Sequence, residues 1–322
     1  MAIQNIKHPT ETEAPILSVW FIHDQRPGHI KQLKGLAERL SAHCKLEESW
    51  VDANSSTFTW TDALLKKKPD NQLSPPTMVI AAGHKTHKTL LIIAHIYQAF
   101  SVVLMKPSLP ICLFDTLICP KHDGLKENSK VLNTLGALNN ISPASKTQHR
   151  TKQLMLIGGP SKHFKWQEQL LLDQIQSICH QQPNKQWLLS DSPRTPGSFM
   201  PKLKTLNISN LSCFHYQDKQ LEDLSTLLKK CTETWISPDS VSMIYESLTA
   251  GSPSFLFDLK TNNPKKPSRV ARAINNLTQK QHVGHFPSWQ QAPEKRPQEL
   301  NLWEADRAAQ WLITQYTLKQ PV

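Results

Sequence analysis

Apolar and polar positions follow two alternating periods along the chain. Residues 16–22 are mostly apolar over the length of a strand and end at polar His23-Asp24, followed by the turn Pro27-Gly28. From His29 onward the apolar residues fall at Ile30, Leu33, Leu36, Ala37 and Leu40, the spacing of one helical face. The same strand, loop and helix order returns at 77–82, 83–85 and 86–99, and residues 101–105, 113–119 and 131–135 read as further strands. A second series follows, with strands at 153–157, 186–189, 211–216, 234–237 and 254–259. Its helices fall at 162–180, 221–230, 241–250, 270–277 and 302–316, with Gly251 as a helix stop. Strands alternating with helices predict parallel sheets in an α/β fold. Two such series predict two Rossmann-like doubly wound domains.

The expected organisation is a flexible tail over 1–14, an N-terminal domain over 15–145 and a C-terminal domain over 146–301. Residues 302–322 are expected to form a closing helix, and the polar stretch 142–151 the linker. At 322 residues, 39% hydrophobic and 20% charged, the chain has the composition of a globular protein with two cores. No run of about 20 apolar residues predicts a membrane span, and no basic-then-apolar leader opens the chain, so the expected location is the cytoplasm. The six cysteines form no C-x-x-C pair and read as reduced thiols, with Cys119 and Cys213 in the core. The net charge of +11 is spread evenly, +5 over residues 1–150 and +6 over 151–322. It favours anionic partners such as phosphate-bearing substrates or an anionic membrane surface. The charge is diffuse and no basic-aromatic module is present, so nucleic acid is not the expected partner.

Chemistry concentrates at the predicted strand ends. In Asp24-Gln25-Arg26-Pro27-Gly28-His29, Arg26 can clamp an anion and His29 can take a proton from a hydroxyl. The same Asp24 and His29 serve equally to cap and satisfy the turn, and Gln32 reads as a surface residue. Gly83-His84-Lys85 is a polar, positive helix start suited to an anion, while His87 and Lys88 read as solvated. His122-Asp123 is either a turn or a polar edge of a cleft, and Thr134-Leu135-Gly136-Ala137 either lines a cleft floor or starts a helix. In the second half, Gly158, Gly159 and Ser161 permit close approach of a phosphate, although the full P-loop pattern is absent. Ser192, Arg194 and Thr195 read as a diphosphate site or as helix capping. Asp239 or Ser240 is expected to cap the helix at 241–250. Ser242 and Glu246 are four apart on one face of it, and Glu246 is either a ribose ligand or a surface charge.

Seven segments together resemble a known family: DQRPGHIKQLKGLAERL (24–40), AAGHKTHKTL (81–90), FDTLICPKHD (114–123), VLNTLGALN (131–139), LIGGPSKHF (156–164), SPRTP (192–196) and PDSVSMIYESLTAGSP (238–253). This is the bacterial and plant group of mitochondrial fission ELM-type proteins. The resemblance implies a GT-B fold, with two domains facing across a cleft, and transfer of a sugar from a nucleotide-diphosphate donor to a hydroxyl acceptor. His29, with Asp24, would be the base. Gly158, Gly159, Ser161, Ser192, Arg194, Thr195, Asp239, Ser240, Ser242 and Glu246 would hold the donor. Arg26, Gly28, Gly83, His84, Lys85 and His122 would line the acceptor side. The implied partners are a nucleotide sugar and a glycan or lipid-linked acceptor, with neither metal nor separate cofactor. The implied reaction is inverting and metal-independent, at the inner face of a membrane. Three departures stand out: Pro193 replaces an arginine usual before Arg194, Pro238 replaces an acidic residue, and His84-Lys85 replace arginines. They leave a non-catalytic nucleotide-binding or scaffold relative as the alternative.

Overall fold

The computed structural model describes residues 16–68, 73–218, 220 and 222–319. The tail expected at 1–14 lies outside these. The chain begins with β1 (Ile16–His23), α1 (Pro27–His43), β2 (Lys45–Asp52) and α2 (Trp60–Leu65). There follow β3 (Met78–Ala82), α3 (His87–Tyr97), β4 (Phe100–Leu104), β5 (Thr116–Pro120) and β6 (Val131–Thr134). The second series is β7 (Lys152–Leu156), α4 (Glu168–Gln181), β8 (Trp187–Ser190), α5 (Phe199–Thr205), β9 (Leu211–Phe214), α6 (Leu224–Lys229) and β10 (Cys231–Ile236). It continues through α7 (Val241–Thr249), β11 (Ser254–Leu256), α8 (Arg269–Gln279), β12 (Gly284–His285) and α9 (Phe286–Gln291) to α10 (Glu304–Lys319).

The strands form two six-stranded parallel sheets, ordered β2-β1-β3-β4-β5-β6 and β12-β11-β10-β7-β8-β9. This is the doubly wound α/β architecture expected from the alternation. Numbered within its own series, the second sheet reads 3-2-1-4-5-6, the Rossmann order, and the first reads 2-1-3-4-5-6. Each order reverses direction once. The reversal falls between β1 and β3 in the first sheet and between β7 and β10 in the second. Connections leave the two strands at such a point in opposite directions, opening a crevice beyond their carboxyl ends.

The chain divides into two compact units, residues 1–117 with 308–322, and residues 118–307. This division comes earlier than the 145/146 boundary read from the sequence. The segment after Leu117 still supplies β5 and β6 to the first sheet, but the loops that follow these strands meet Arg269 and Tyr245 through Asp123 and Gly136. In the first unit β3 and β4 are buried along their whole length, and α1 covers its sheet with Leu33, Leu36, Ala37 and Leu40. In the second unit Trp235 stacks on Phe255 at 5.0 Å and meets Trp289 edge-on at 5.2 Å. Burying each such large apolar side chain contributes about 1.5–3 kcal/mol.

Several local expectations need correction. The helix expected from 162 starts only at Glu168, because Ser161 Oγ accepts from the N–H groups of His163 and Phe164, and Phe164 bridges to Thr261. Cys213 is half-buried rather than core, since β9 is an edge strand. Gly251 does stop α7 as expected: one residue beyond the cap, at φ +72°, it donates to Leu248 O.

Candidate functional site

Two groups of polar residues sit at the two reversal points, one in each unit. The first is built on the carboxyl ends of β1 and β3. Asp24 follows β1 with its side chain fully buried, and its Oδ1 lies 2.7 Å from His29 Nδ1. An ionised carboxylate only accepts, so His29 donates from Nδ1, which leaves the Nε2 lone pair able to take a proton. Asp24 Oδ1 also accepts from the Arg26 N–H at 3.3 Å. Oδ2 lies 3.6 Å from Arg26 Nε and has no hydrogen-bond partner among the described residues. Burial alone would raise the Asp24 pKa, but the His29 hydrogen bond, the His29 and Arg26 charges and the Arg26 N–H together hold it below the ordinary 3.8.

Gly83, at the end of β3, faces this pair. Its φ is +99°, and a Cβ there would come within 2.5 Å of His29 Nδ1 and 2.9 Å of Asp24 Oδ2. A side chain is therefore excluded both by conformation and by space. Thr86 fixes the loop by donating from Oγ1 to Gly83 O at 2.6 Å. His84 and Lys85 are exposed in a 3₁₀ turn. His87 is buried rather than solvated, with its pKa lowered by burial and by His84. Gln32 is buried too, donating to Gly28 O and Met105 Sδ. Gly28 lies in the first turn of α1, where no atom stands within 4 Å of a would-be Cβ. Pro27 has no N–H and the His29 and Ile30 amides donate to Arg26 O, so within this turn, which contains no acidic residue, the Gly28 N–H is left to meet an anion.

The second group joins the ends of β7, β8 and β10. Gly158 N–H donates to Ser237 Oγ at 2.7 Å and Gly159 N–H to Asp239 Oδ2 at 2.8 Å. Arg194 Nη2 reaches the same Oδ2 at 2.9 Å, while its Nη1 donates to the carbonyls of Gly159 and Pro160. Thr195 Oγ1 donates to Ile157 O and Gly158 O and lies 3.0 Å from Ser192 Oγ. Both glycines are needed for this closeness. A Cβ on Gly158 would come 2.1 Å from Asp239 Oδ2, and one on Gly159 would come 2.0 Å from the Arg194 carbonyl.

The structure thus brings together Gly158, Gly159, Ser192, Arg194, Thr195 and Asp239, but it changes their roles. Ser192, Arg194 and Thr195 cap no helix, because α5 begins only at Phe199. Ser161 is occupied in its own turn. Asp239 does not cap α7, and the Ser240 side chain at the cap position makes no capping bond. Ser242 is exposed while Glu246 is 2% exposed, so the two do not share one solvent face. His122 lies on the 3₁₀ turn Lys121–Asp123, 3.9 Å from the Asp123 carboxylate, and burial lowers its pKa against the pull of Asp123. Ser237, which holds the Gly158 amide, was missed because a serine at a strand end carries no pattern of its own.

Two doubly wound units, each with polar residues at its reversal point, define a two-domain Rossmann-like protein of the GT-B class. The chain belongs to the family described as Mitochondrial fission ELM1, whose pattern matches residues 27–316. Protein RP120 of Rickettsia prowazekii (strain Madrid E) is 25% identical across 75% of this chain and 83% of its own length. Among solved structures, UDP-GlcNAc 2-epimerase from Neisseria meningitidis, bound to UDP-GlcNAc, is similar with a TM-score of 0.55 and 14% identity over 94% of this chain and 100% of that one. MurG of Acinetobacter baumannii is similar with a TM-score of 0.50 and 11% identity, over 91% and 95%. At such identities the likeness is one of fold. Among the described residues no helix is long and apolar enough to cross a membrane.

Proposed function

We propose that this protein is a glycosyltransferase of GT-B type that moves a sugar from a nucleotide-diphosphate donor to an acceptor hydroxyl. The observation that carries this reading is the pairing of buried Asp24 with half-buried His29 at 2.7 Å, for which Gly83 leaves room. His29 Nε2 takes the proton of the acceptor hydroxyl while its oxygen bonds to the anomeric carbon. The bond from that carbon to the diphosphate oxygen breaks, and the diphosphate leaves as an anion. Attack from the opposite face inverts the centre. The donor occupies the reversal point of the second sheet, and a nucleotide sugar as ligand is supported by the similar Neisseria epimerase, whose structure is bound to UDP-GlcNAc. Arg194 and the start of α7 stabilise the leaving charge, so the step needs no metal. Glu246 accepts from the ribose hydroxyls. The acceptor is a cell-envelope glycan or a lipid-linked one reached from the inner membrane face, to which the net charge of +11 draws the protein.

The test is thermal-shift binding of a panel of nucleoside diphosphates and nucleotide sugars, with Glu246→Gln alongside. A shift specific to one base and weakened in the variant is expected. No shift with any nucleotide overturns the reading. A second reading, a non-catalytic relative, is favoured by one observation: Arg194 and Thr195 are already bonded to the neighbouring loops after β7 and β10. A nucleotide shift without any turnover on envelope acceptors would favour it.

A further inference from the structure

A cavity of about 410 Å³ lies wholly within residues 118–307, apart from the Gly158–Arg194–Asp239 group. Two of its walls are the strand-end segments that the transfer mechanism leaves unused, Lys121–Gly124 and Leu135-Gly136. The third is α8, which presents Arg269, Arg272, Asn276 and Lys280 along one exposed stripe at helical spacing. Lys121 adds to the positive character, and no Asp or Glu is among the lining residues. Its apolar surface comes from Leu135, Tyr245, Ala273 and Leu277.

The geometry is built rather than incidental. Gly136, at φ +86°, lies against the Tyr245 ring so closely that a Cβ would fall 2.5 Å from it. Arg269 is held over Gly124 by one bond from Nη1 to Asp123 O at 2.9 Å, which leaves further N–H donors in its planar fork. Arg272, Lys280 and Lys121 have no ion-pair partner among the described residues. His282 carries a buried Nδ1 with no hydrogen-bond partner among the described residues. A cavity of this size, with Arg269, Arg272, Lys280 and Lys121 around an apolar floor and the Asp123 carboxylate beside His122, suits a small anion carried on an apolar body.

We infer that this cavity is a second anion site that takes a phosphate or diphosphate ester with an apolar group, the phosphate on the α8 arginines and the apolar group against Tyr245 and Leu277. The inference stands whether or not the chain transfers sugar. Such an ester is either a soluble aromatic phosphate or the headgroup of a polyisoprenyl phosphate in a membrane.

The test uses the full chain with two probes: phenyl phosphate in titration calorimetry, and phosphatidylcholine vesicles with and without farnesyl phosphate in co-sedimentation. Arg269→Gln/Arg272→Gln is the main variant and Lys280→Gln the second, all three positions being exposed. Saturable binding of either probe by the native chain is expected, weakened at least about tenfold in the double variant and less in Lys280→Gln. Binding confined to the farnesyl phosphate vesicles identifies the lipid source, and binding of phenyl phosphate the soluble one. Native affinity in both variants, or no saturable binding of either probe by the native chain, overturns the proposal. Arg194→Gln keeps the two sites apart: it is expected to lose the nucleoside-diphosphate shift and retain the probe bound at α8.

Discussion

At the scale of single residues, the first site depends on one carboxylate, one imidazole and the glycine that leaves room for them. His29→Gln keeps size and polarity but removes the base. Turnover of the responding nucleotide sugar is expected to fall by about 10²–10⁴-fold while the nucleotide shift persists, measured by release of nucleoside diphosphate. Gly83→Ala is a sharper probe, because its Cβ would displace the His29 ring and strain a φ of +99°. A loss of about 1–3 kcal/mol in urea unfolding, together with a turnover loss like that of His29→Gln, is expected. Asp24 adds a pH signature. Its folded pKa lies below the unfolded 3.8, so the stability it contributes is complete above 3.8 and is lost as pH falls through the folded value. The gap in unfolding free energy between native protein and Asp24→Asn is therefore expected to narrow on acidification below 3.8, and a gap that widened would contradict the assignment. The residue types at this site were legible in the sequence because they follow a strand and precede a helix. That Gln32 and His87 are buried was not, since each also makes a contact across the fold, Gln32 to Met105 and His87 to Ser108.

At the scale of elements, legibility followed burial. Strands buried on both faces, such as β3 and β4, are continuous apolar runs that the sequence announces. The edge strand β2, KLEESWVD, has no fully buried residue and contributes little apolar pattern beyond Trp50, which stacks on Phe21 at 4.9 Å, so it was not foreseen. Helices α2, α5 and α9 were likewise missed, being only six or seven residues long and too short to show a period. A charged residue inside β10 also escaped notice. Glu233 is fully buried and accepts from Lys185 at 2.6 Å, Arg296 at 2.8 Å and Trp235 Nε1 at 2.9 Å, so it ties the strand to two distant loops. Glu233→Ala removes these charge-assisted bonds and leaves the indole N–H without a partner. A loss of about 2–4 kcal/mol is expected in chemical unfolding. The loop after β7 is equally intolerant of change. In Gly159→Ala the added carbon would lie 2.0 Å from the Arg194 carbonyl, so both stability and the nucleoside-diphosphate shift are expected to fall.

At the scale of the whole molecule, the two sheets place their polar residues by the same rule. Each strand order reverses once, and each reversal collects loops from strands distant in sequence: β1 with β3, and β7 with β8 and β10. The alternation of elements foretold two such units. It did not foretell the strand orders, because order depends on where each crossover returns and not on the pattern inside a segment. The division of labour this implies can be measured. If the donor is held in the unit of residues 118–307 and the base belongs to the other, ligand stabilisation and turnover must separate in the variants. A nucleoside diphosphate at a hundredfold excess over its Kd stabilises the folded state that binds it by about 2.7 kcal/mol. Scanning calorimetry is expected to show that stabilisation in the native chain and in His29→Gln, and to show it reduced in Arg194→Gln, whereas turnover is lost in both variants. An equal loss of nucleotide stabilisation in His29→Gln would place the donor's binding energy on the first sheet and reverse the assignment of the two units.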